Sequence, residues 1–486
     1  VELLLSNHPD DCLYCDKKLN CELQRLAEEL NIRERRIKAR KIKPRLDQSS
    51  PAIVRELSKC ILCGRCVRVC EEVVTANSLD FIRKGSLTHV GPAMDRDFNF
   101  SSCIHCGQCV MMCPTGALHE KHNIAEVQDF LNNTEIVKVI QYSPLVAPGI
   151  AEELGIRFNR DFDRILNSML RRIGFDKVFL TGTGTDICIY ELAEQLGRNI
   201  EKGDVKPLYI SACPAWVKFA EQFIPGILTN LSTIKSPQQI TGVLIKTLIA
   251  DQAGIKPEKI FSVSATPCMA MKFEARRDGM MRKGISDVDS VMTVRELARL
   301  IRLYGIDVSN IEPEPADEPM AGRSSAASLA EVSGGMAEAV IRTTHFLKYG
   351  IEPDKQLMKR LRTGGSFREI TVMFEGKEVS VAVIDSLTGL AKLKALVDAG
   401  KHYDLIEVMT CPGGCINGAG LPFSFSGSDR KNRVKMIYQA DEVDAVNLPC
   451  KSPLLNNLYN KFINENKEIA DKKIFHTHFE KRNVLL

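Results

Sequence analysis

The chain has 486 residues, which is too many for one hydrophobic core and predicts about three domains of ordinary size. Its 44% hydrophobic and 26% charged residues are typical of a globular protein, and no apolar stretch approaches the roughly 20 residues that a membrane helix needs. The formal charge of +4 treats all 17 cysteines as neutral thiols, so it does not indicate nucleic-acid binding.

The cysteines occur in short-spaced groups along the chain. Such grouping in a long, ordinary-looking chain does not resemble a small secreted disulfide scaffold, and it indicates metal sites in a reducing cytoplasm. No signal-peptide pattern precedes the fold. Because the first residue is Val1 rather than Met, we expect that the start was trimmed or that a further segment lies upstream.

The first group of possible metal ligands lies in residues 1–43. It comprises His8, Cys12, Cys15 and Cys21. Three thiolates and an imidazole suit a [4Fe-4S] cube as well as a zinc ion, and the spacing alone does not choose between them. A basic run from residue 22 to 43, which a proline ends, is predicted to be helical.

Two similar cysteine quartets follow in residues 44–122 and form an internal repeat. They are Cys60, Cys63, Cys66 and Cys70, and then Cys103, Cys106, Cys109 and Cys113. This spacing, with Pro114 after the last cysteine, is typical of two-cluster ferredoxins, in which the fourth cysteine of each run ligates the other cube. We therefore predict that Cys70 joins the second cube and Cys113 the first. Zinc needs neither the third cysteine nor the Cys-Pro ending, which disfavours two zinc sites.

Residues 123–450 alternate between apolar strands and amphipathic helices, which is typical of parallel α/β units. The predicted strands are 136–141, 177–180, 207–211, 259–263, 370–374, 379–384 and 405–409, and the predicted helices include 160–173 and 237–253. An acidic, Pro-rich stretch at 312–319 is predicted to be a loop between two lobes. The polar tail at 451–486 is predicted to be helical.

Four further cysteines lie just after predicted strands of this region: Cys213, Cys268, Cys411 and Cys415. A single buried cysteine is usually a small apolar residue. However, α/β folds bind ligands in the crevice at the strand ends, and all four cysteines lie there beside Gly or Pro. Together the four positions predict one further metal site.

The N-terminal group carries a specific resemblance. The segment from Ser6 to Gln24 resembles the His/Cys3 [4Fe-4S] segment of complex I large iron-sulfur subunits and of modular [FeFe]-hydrogenases. The resemblance implies a third relay [4Fe-4S] cluster on His8 and the three cysteines near it. In those families a plant-type [2Fe-2S] domain usually precedes this segment, which implies a possible [2Fe-2S] cluster upstream of Val1.

Three motifs around the strand-end cysteines resemble the active-site motifs of [FeFe]-hydrogenases: ISACPAW from Ile210, TPCMAMKFE from Thr266 and EVMTCPGGCING from Glu407. The tail at 452–479 resembles the family's small-subunit segment, so the match covers essentially the whole chain. The resemblance implies a two-lobed α/β active-site domain with mixed parallel sheets. An α+β two-cluster ferredoxin domain and the small His/Cys3 segment would precede it.

In that family the active site is an H-cluster, which is a [4Fe-4S] cube joined to a two-iron unit bearing CO, cyanide and a bridging dithiolate. The resemblance implies that four residues hold the cube, namely Cys213, Cys268, Cys411 and Cys415. Of these, Cys415 would bridge to the two-iron unit.

The resemblance also implies roles for other side chains. Lys272 would pair with a cyanide, a charge-assisted contact, and its alternative is an ordinary surface lysine. Met409 would pack near the bridging ligand. Cys188 and Cys450 match no ligand position of the family and are expected to be packing residues.

The chain departs from the family pattern on the side that delivers protons. Ala212 stands where the family normally has a proton-donor cysteine, and Leu192 and Gln195 align with two carboxylates of the usual proton relay. Glu191 and Glu194 are one position off, which turns a side chain by about 100° on a helix. Loss of a general acid typically slows a reaction by roughly 10²- to 10⁴-fold, so we expect slow turnover.

Two smaller departures lie close to the same site, Thr266 for a methionine and Ser143 for an alanine.

Three functions remain open. The first is an [FeFe]-hydrogenase that relays electrons to an H-cluster for reversible oxidation of H2 and reduction of protons. The second is an electron-transfer subunit of a larger flavin- or formate-linked redox complex, and the third is a hydrogen sensor. The expected partners are H2, protons and ferredoxin or redox subunits of an anaerobic cytoplasm, with no nucleic acid and no membrane span.

Overall fold

The computed structural model describes residues 1–37, 45–159, 161–203, 206–362, 364–423, 427–459, 463 and 473–483. The chain divides into two compact units. The first unit is Val1–His122 together with the described end of the chain from Arg482, and the second is Asn123–Lys481. After the roles that the family resemblance implies, we call them the relay unit and the catalytic unit. No helix in the described ranges combines the length and the apolar character that crossing a membrane would require.

Short elements build the relay unit. In chain order they are α1 (Glu2–Asn7), α2 (Glu22–Glu29), β1 (Leu46–Asp47), β2 (Ile53–Glu56), α3 (Arg65–Arg68), β3 (Asp80–Ile82), β4 (His89–Gly91), α4 (Gln108–Met112) and β5 (Leu118–Glu120). The strands form an antiparallel three-stranded sheet, β1-β2-β5, and a β3-β4 hairpin.

The helix predicted from residue 22 to 43 is too long. Helix α2 ends at Glu29, and Asn31 just beyond it has φ of 51°, the left-handed conformation that commonly ends helices. Residues 38–43 of the predicted helix lie outside the described residues. The basic run therefore does not continue α2 as one helix.

The first half of the catalytic unit places helices around a parallel sheet. Its elements are α5 (Ile124–Leu131), β6 (Val137–Tyr142), α6 (Val146–Leu154), α7 (Phe162–Ile173), β7 (Lys177–Leu180), α8 (Thr181–Lys202), β8 (Leu208–Tyr209), α9 (Pro214–Phe223), α10 (Pro237–Leu244), α11 (Ala250–Ala253), β9 (Ile260–Thr266), α12 (Ala270–Glu274), β10 (Met281–Arg282), β11 (Ile285–Ser286), β12 (Ser290–Thr293) and α13 (Val294–Leu303). A π-helical turn, Ile245–Ile249, joins α10 to α11.

The second half contributes α14 (Ser325–Leu329), α15 (Gly335–Tyr349), α16 (Lys355–Lys359), β13 (Phe367–Phe374), β14 (Lys377–Asp385), α17 (Leu390–Asp398), β15 (Leu405–Met409), α18 (Gly427–Val443) and α19 (Pro453–Leu458). The stretch 312–319 contains no helix or strand. In the predicted helical tail, α19 and a short turn at Lys473–Phe475 are described, while residues 464–472 lie outside the described residues.

Two four-stranded sheets organise the catalytic unit. One has the order β12-β9-β6-β7 and is parallel throughout, and the other has the order β13-β14-β15-β8 with only the β13–β14 pair antiparallel. Strands β7 and β15 have the predicted bounds, the other predicted strands are present with shifted ends, and β12 was not predicted. The predicted α/β class with mixed parallel sheets is confirmed.

The carboxyl ends of three strands lead to the cysteines that the sequence predicts as one metal site. Strand β9 ends directly before Pro267 and Cys268, β15 ends directly before Thr410 and Cys411, and the loop after β8 leads to Cys213. Apolar side chains from the sheets and from α8, α10 and α15 form the largest buried core around these strands. The core therefore holds the ends of three separate strands in fixed positions.

Candidate iron-sulfur sites and strand-end cavity

Four thiols of the relay unit surround one small cavity of about 20 Å³: Cys60, Cys63, Cys66 and Cys113. Burial raises the pKa of Cys66 to about 12 and that of Cys60 to about 11, and neighbouring thiols add to both shifts. Bare thiolates are therefore costly here, and bound iron would offset that cost. Cys113 lies with the first quartet in space, although it ends the second quartet in sequence.

The other four relay cysteines gather around Cys109. Burial raises its pKa well above the ordinary range, and the charges of Cys106, Cys103, Cys66 and Cys70 add to the shift. The structure thus brings Cys70 to the second quartet, the arrangement expected for two ferredoxin-type cubes.

The two quartets share one backbone turn. Leu62 and His105 have φ of 55° and 56°, and the glycines two residues later, Gly64 and Gly107, have φ of 73° and 76°. Because of this turn, the amide of Leu62 donates to the Sγ of Cys60 at 3.5 Å, and the amide of His105 donates to the Sγ of Cys103 at 3.4 Å. Amide donors of this kind tune the potential of iron-sulfur clusters.

The N-terminal group also offers a set of donors. Nδ1 of His8 lies 3.0 Å from the carbonyl oxygen of Pro9, and its buried Nε2 has no hydrogen-bond partner among the described residues. Burial lowers the pKa of His8, which favours the neutral ring that metals bind. Burial raises the pKa of Cys12 and Cys15, and the charge of Cys21 adds to both shifts. These donors fit either alternative that the spacing left open.

The four strand-end cysteines meet in the catalytic unit. Burial raises the pKa of Cys268 and Cys415 far above the ordinary range. The charges of Cys213 and Cys411 raise both pKa values further. The Sγ of Cys213 also lies 3.5 Å from the hydroxyl oxygen of Thr410. Residues from three separate loops therefore form one thiol-rich site, whose donors suit a [4Fe-4S] cube.

A cavity of about 70 Å³ lies beside these thiols, and we call it the strand-end cavity. Its described lining includes Cys213, Cys268 and Cys415 together with Met409, which the resemblance placed there. Much of the remaining lining is apolar or small, and Ala212 contributes a methyl group. The lining is thus mostly of low polarity, a setting that strengthens electrostatic interactions.

Lys272 is not among the described residues that line this cavity, so its pairing with a cyanide stays a prediction. Its Nζ lies 2.8 and 2.7 Å from the two carboxylate oxygens of Glu296, and both side chains are almost fully buried. Its neighbour Met271 lines the cavity instead. Both residues lie on α12, where a step of one residue turns the side chain by about 100°. Lys272 is therefore neither a contact of the cavity nor a surface lysine.

The positions that align with the family's proton-relay carboxylates also lie outside the strand-end cavity. Leu192 packs in the apolar core, and Gln195 accepts a hydrogen bond from the hydroxyl of Ser232 at 2.9 Å. Glu191 accepts a hydrogen bond from the hydroxyl of Tyr459 at 2.7 Å. Glu194 lies 3.5 Å from the guanidinium of Arg198. In the described part of the chain, none of the carboxyl groups at these positions lines the strand-end cavity.

Sequence reasoning missed Glu331, which lines the strand-end cavity. Burial raises the pKa of Glu331 to about 7, although hydrogen bonds with Cys415 and Ser143 and the charge of Arg323 oppose that rise. Glu331 lies outside all three motifs, and no spacing pattern marks it. Gly334, three residues later, has φ of 88°, which indicates a tight loop at this point.

The two remaining cysteines lie apart from these sites. Cys188 is buried in the core of the catalytic unit, and burial raises its pKa to about 12. Burial also raises the pKa of Cys450, to about 11. Neither lines the strand-end cavity in the part of the chain that the structure describes.

Models of four families match the chain. They are the iron only hydrogenase large subunit, C-terminal domain, at residues 137–419; the NADH-ubiquinone oxidoreductase-G iron-sulfur binding region, at 1–36; the 4Fe-4S dicluster domain, at 59–117; and the iron hydrogenase small subunit, at 428–482.

Individual proteins similar to the chain include both hydrogenases and an iron-sulfur assembly component. The NADP-reducing hydrogenase subunit HndD of Solidesulfovibrio fructosivorans is 36% identical over 100% of this chain and 84% of its own length. The cytosolic iron-sulfur assembly component 3 of Pongo abelii is 30% identical over 69% of this chain and 73% of its own. Among solved structures, apo [FeFe]-hydrogenase HydA1 of Chlamydomonas reinhardtii matches with a TM-score of 0.65 and 25% identity, over 75% of this chain and 100% of that one.

Proposed function

The chain belongs to the iron-only hydrogenase family, and from that premise we propose that it passes electrons through [4Fe-4S] clusters to an H-cluster in the strand-end cavity, where H2 is oxidised or protons are reduced. The family membership and the iron-sulfur relay make it an oxidoreductase. The observation that carries the proposed activity is the convergence of Cys213, Cys268, Cys411 and Cys415 beside one cavity.

We assign the ligands of the clusters from the geometry of the thiols. His8 and its three neighbouring cysteines would hold one relay cube, and the two exchanged quartets would hold two more. The strand-end thiols would hold the cube of the active site, and the family resemblance implies that Cys415, which lines the cavity, is the bridge. We propose domains at 1–43, 44–122 and 123–450 and a tail at 451–486.

The two-iron unit would supply the site at which hydrogen is split or formed. Cys415 would hold it, and Met409 and Met271 would exclude water around it. No lysine or arginine is among the described residues that line the cavity.

Slow turnover is the expected consequence of the residues around Ala212. A methyl group neither donates nor accepts a proton, and Leu192 and Gln195 carry no carboxyl group. A general acid typically contributes roughly 10²- to 10⁴-fold to a rate, so its loss lowers turnover without affecting the binding of the cubes.

A second function is favoured by the N-terminal segment. Residues 1–36 match an NADH-ubiquinone oxidoreductase-G iron-sulfur region, and the whole chain is similar to a protein named as a hydrogenase subunit. We therefore propose that the chain works with other redox subunits of the flavin- or formate-linked kind or with a ferredoxin. The grouped thiols suit a reducing, anaerobic cytoplasm.

The test is infrared spectroscopy of protein matured without oxygen, with Cys415→Ala as the control. Bands of metal-bound CO and cyanide are expected in the unsubstituted protein and are expected to disappear in the control. Iron-sulfur absorption without such bands would leave only the electron-transfer function.

If the bands appear, hydrogen oxidation with an artificial dye tests for activity. Ala212→Cys should then raise the rate, and by no more than the roughly 10²- to 10⁴-fold of a general acid. An unchanged rate would show that proton delivery through this position does not limit turnover.

A further inference from the structure

A second cavity, of about 260 Å³, is lined by residues of α15, α16 and α18 in the catalytic unit, and we call it the charged cavity. It shares no described lining residue with the strand-end cavity. Its described lining includes four basic and four acidic side chains. Pockets for small molecules usually measure about 300–1,000 Å³, so this cavity suits a ligand of few atoms.

Two arginines are the buried cations of the charged cavity. The side chains of Arg342 and Arg362 are only 6% and 8% exposed. Arg362 donates from Nε and Nη2 to the two carboxylate oxygens of Glu338, at 2.7 and 2.6 Å. Arg342 donates from Nη1 to both carboxylate oxygens of Asp441 at 3.2 Å, and from Nε to Glu352 at 2.9 Å. These contacts fix both guanidinium groups in position.

The buried carboxylates of this network have little capacity left for a ligand. Glu338 accepts hydrogen bonds from both arginines. Asp441 also accepts from both, and from the hydroxyl of Ser325 at 2.9 Å. Glu352 accepts from one arginine and from the ammonium of Lys451. A bound cation would therefore have to compete with donors that are already in place.

The open groups of the charged cavity are donors. Nη2 of Arg342 and Nη1 of Arg362 have no hydrogen-bond partner among the described residues, and neither nitrogen is shut off from solvent. Lys355 has no acidic partner in the described part of the chain. Lys359 contacts Glu442 at 3.0 Å, but both side chains are about half exposed, so this pair is weak. Since only donors are open, the ligand must supply acceptors.

The charges and directions of these donors favour a phosphate group. Together with Lys451, the basic side chains exceed the acidic ones by one, so the cavity has an excess of positive charge. The open donors come from α15, from α16 and from the loop after α16. A phosphate group offers at least three strong acceptor oxygens, whereas a planar carboxylate offers two, and converging donors fit the former better. Pro353 and Met358 add an apolar part to the lining, which suits a short carbon chain.

We propose that the charged cavity binds the phosphate group of a small anion, which accepts hydrogen bonds from Arg342, Arg362 and Lys355. Free phosphate and a small phosphate monoester share this chemistry, and the experiment separates them. The proposal does not depend on the proposed clusters, because the two cavities have no described lining residue in common.

The experiment is isothermal titration calorimetry of the full chain without oxygen, at constant ionic strength. The titrants are inorganic phosphate, glycerol 3-phosphate and malonate, which has two negative charges on planar carboxylates. We expect one saturable site per chain for at least one of the two phosphate compounds and no saturation by malonate. Tighter binding of glycerol 3-phosphate would identify the ligand as a monoester, and tighter binding of inorganic phosphate would identify it as the free anion.

Two substitutions locate the site. Lys355→Ala removes an exposed donor, so the protein should fold normally, and we expect it to weaken binding roughly 10-fold, as for a hydrogen bond to a charged group. Arg362→Lys keeps a positive charge beside Glu338 but removes the open Nη1, and it should weaken binding by at least as much. Lys435→Ala is the matched control, because this exposed lysine of α18 is not among the described lining residues.

Three results would overturn the proposal. The first is no saturable binding of either phosphate compound to the unsubstituted chain. The second is saturation by malonate with the same affinity, which would show that charge alone is recognised. The third is an equal effect of Lys355→Ala and Lys435→Ala, which would place the binding elsewhere. Circular dichroism checks that Arg362→Lys is folded, and Lys355→Ala decides the outcome if it is not.

Discussion

The relay unit and the catalytic unit both gather cysteines, but they do so by different physical means. Described helices of the relay unit are 4 to 8 residues long, whereas α8 and α15 of the catalytic unit have 22 and 15 residues. Helices as short as those of the relay unit are not stable alone. We therefore expect the relay unit to depend strongly on its proposed clusters, whereas the thiols of the catalytic unit lie beside a large apolar core.

The largest expected effect follows from removing iron with a chelator. Binding free energy of a metal group is also folding free energy where the protein alone cannot hold the site. We expect the relay unit to become sensitive to protease, while the catalytic unit remains resistant. Limited proteolysis with mass spectrometry of the fragments measures this. Equal loss of protease resistance in both units would show that the apolar core does not keep the catalytic unit folded without iron.

A smaller effect is expected from Cys113→Ser. The thiol of Cys113 lies with Cys60, Cys63 and Cys66, so the substitution should remove one cube and with it about four iron atoms per chain. Iron analysis and EPR of the variant check this, with Cys188→Ala as the control that loses no iron. Loss of the cube near Cys109 instead would show that the cysteines do not exchange between the quartets.

This contrast also explains what the sequence could predict. In the relay unit the spacing of the cysteines marks the two quartets from local sequence, whereas the exchange of Cys70 and Cys113 between them is predicted from the known ferredoxin pattern. The bounds of β7 and β15 also follow from local apolar runs. Such features need no knowledge of distant residues.

The rest depends on directions and long-range contacts. Lys272 and Met271 are adjacent on α12, and a motif alone does not say which of them faces the cavity. The backbone amide of Cys415 donates to the carbonyl oxygen of Glu331, which joins segments far apart in sequence. The helix predicted beyond Glu29 failed because Asn31 takes a left-handed conformation, which a run of basic residues does not reveal.

A third prediction tests the role of the core around Lys272. Lys272→Met leaves the buried carboxylate of Glu296 without its ammonium partner, and breaking such a pair typically costs about 3–5 kcal/mol. We expect the urea concentration at the midpoint of unfolding of the catalytic unit to fall clearly. Circular dichroism measures this midpoint. Met271→Leu is the matched control on the same helix, and a volume-conserving change usually costs less than about 1.5 kcal/mol. A similar loss in the free energy of unfolding for both variants would mean that the ion pair is not essential for stability.

The smallest effect is expected at an exposed ion pair of the relay unit, where the contrast with Lys272 is greatest. Arg25 and Glu29 lie four residues apart on α2 at 2.7 Å, with side chains that are 62% and 53% exposed. Water screens such a pair, and the basic residue precedes the acidic one, which is the less favourable order along a helix. A double-mutant cycle with Arg25→Ala and Glu29→Ala should therefore give a coupling of at most about 0.5 kcal/mol. The coupling should weaken further in high salt. A coupling of more than about 1 kcal/mol would show that α2 depends on its surface charges.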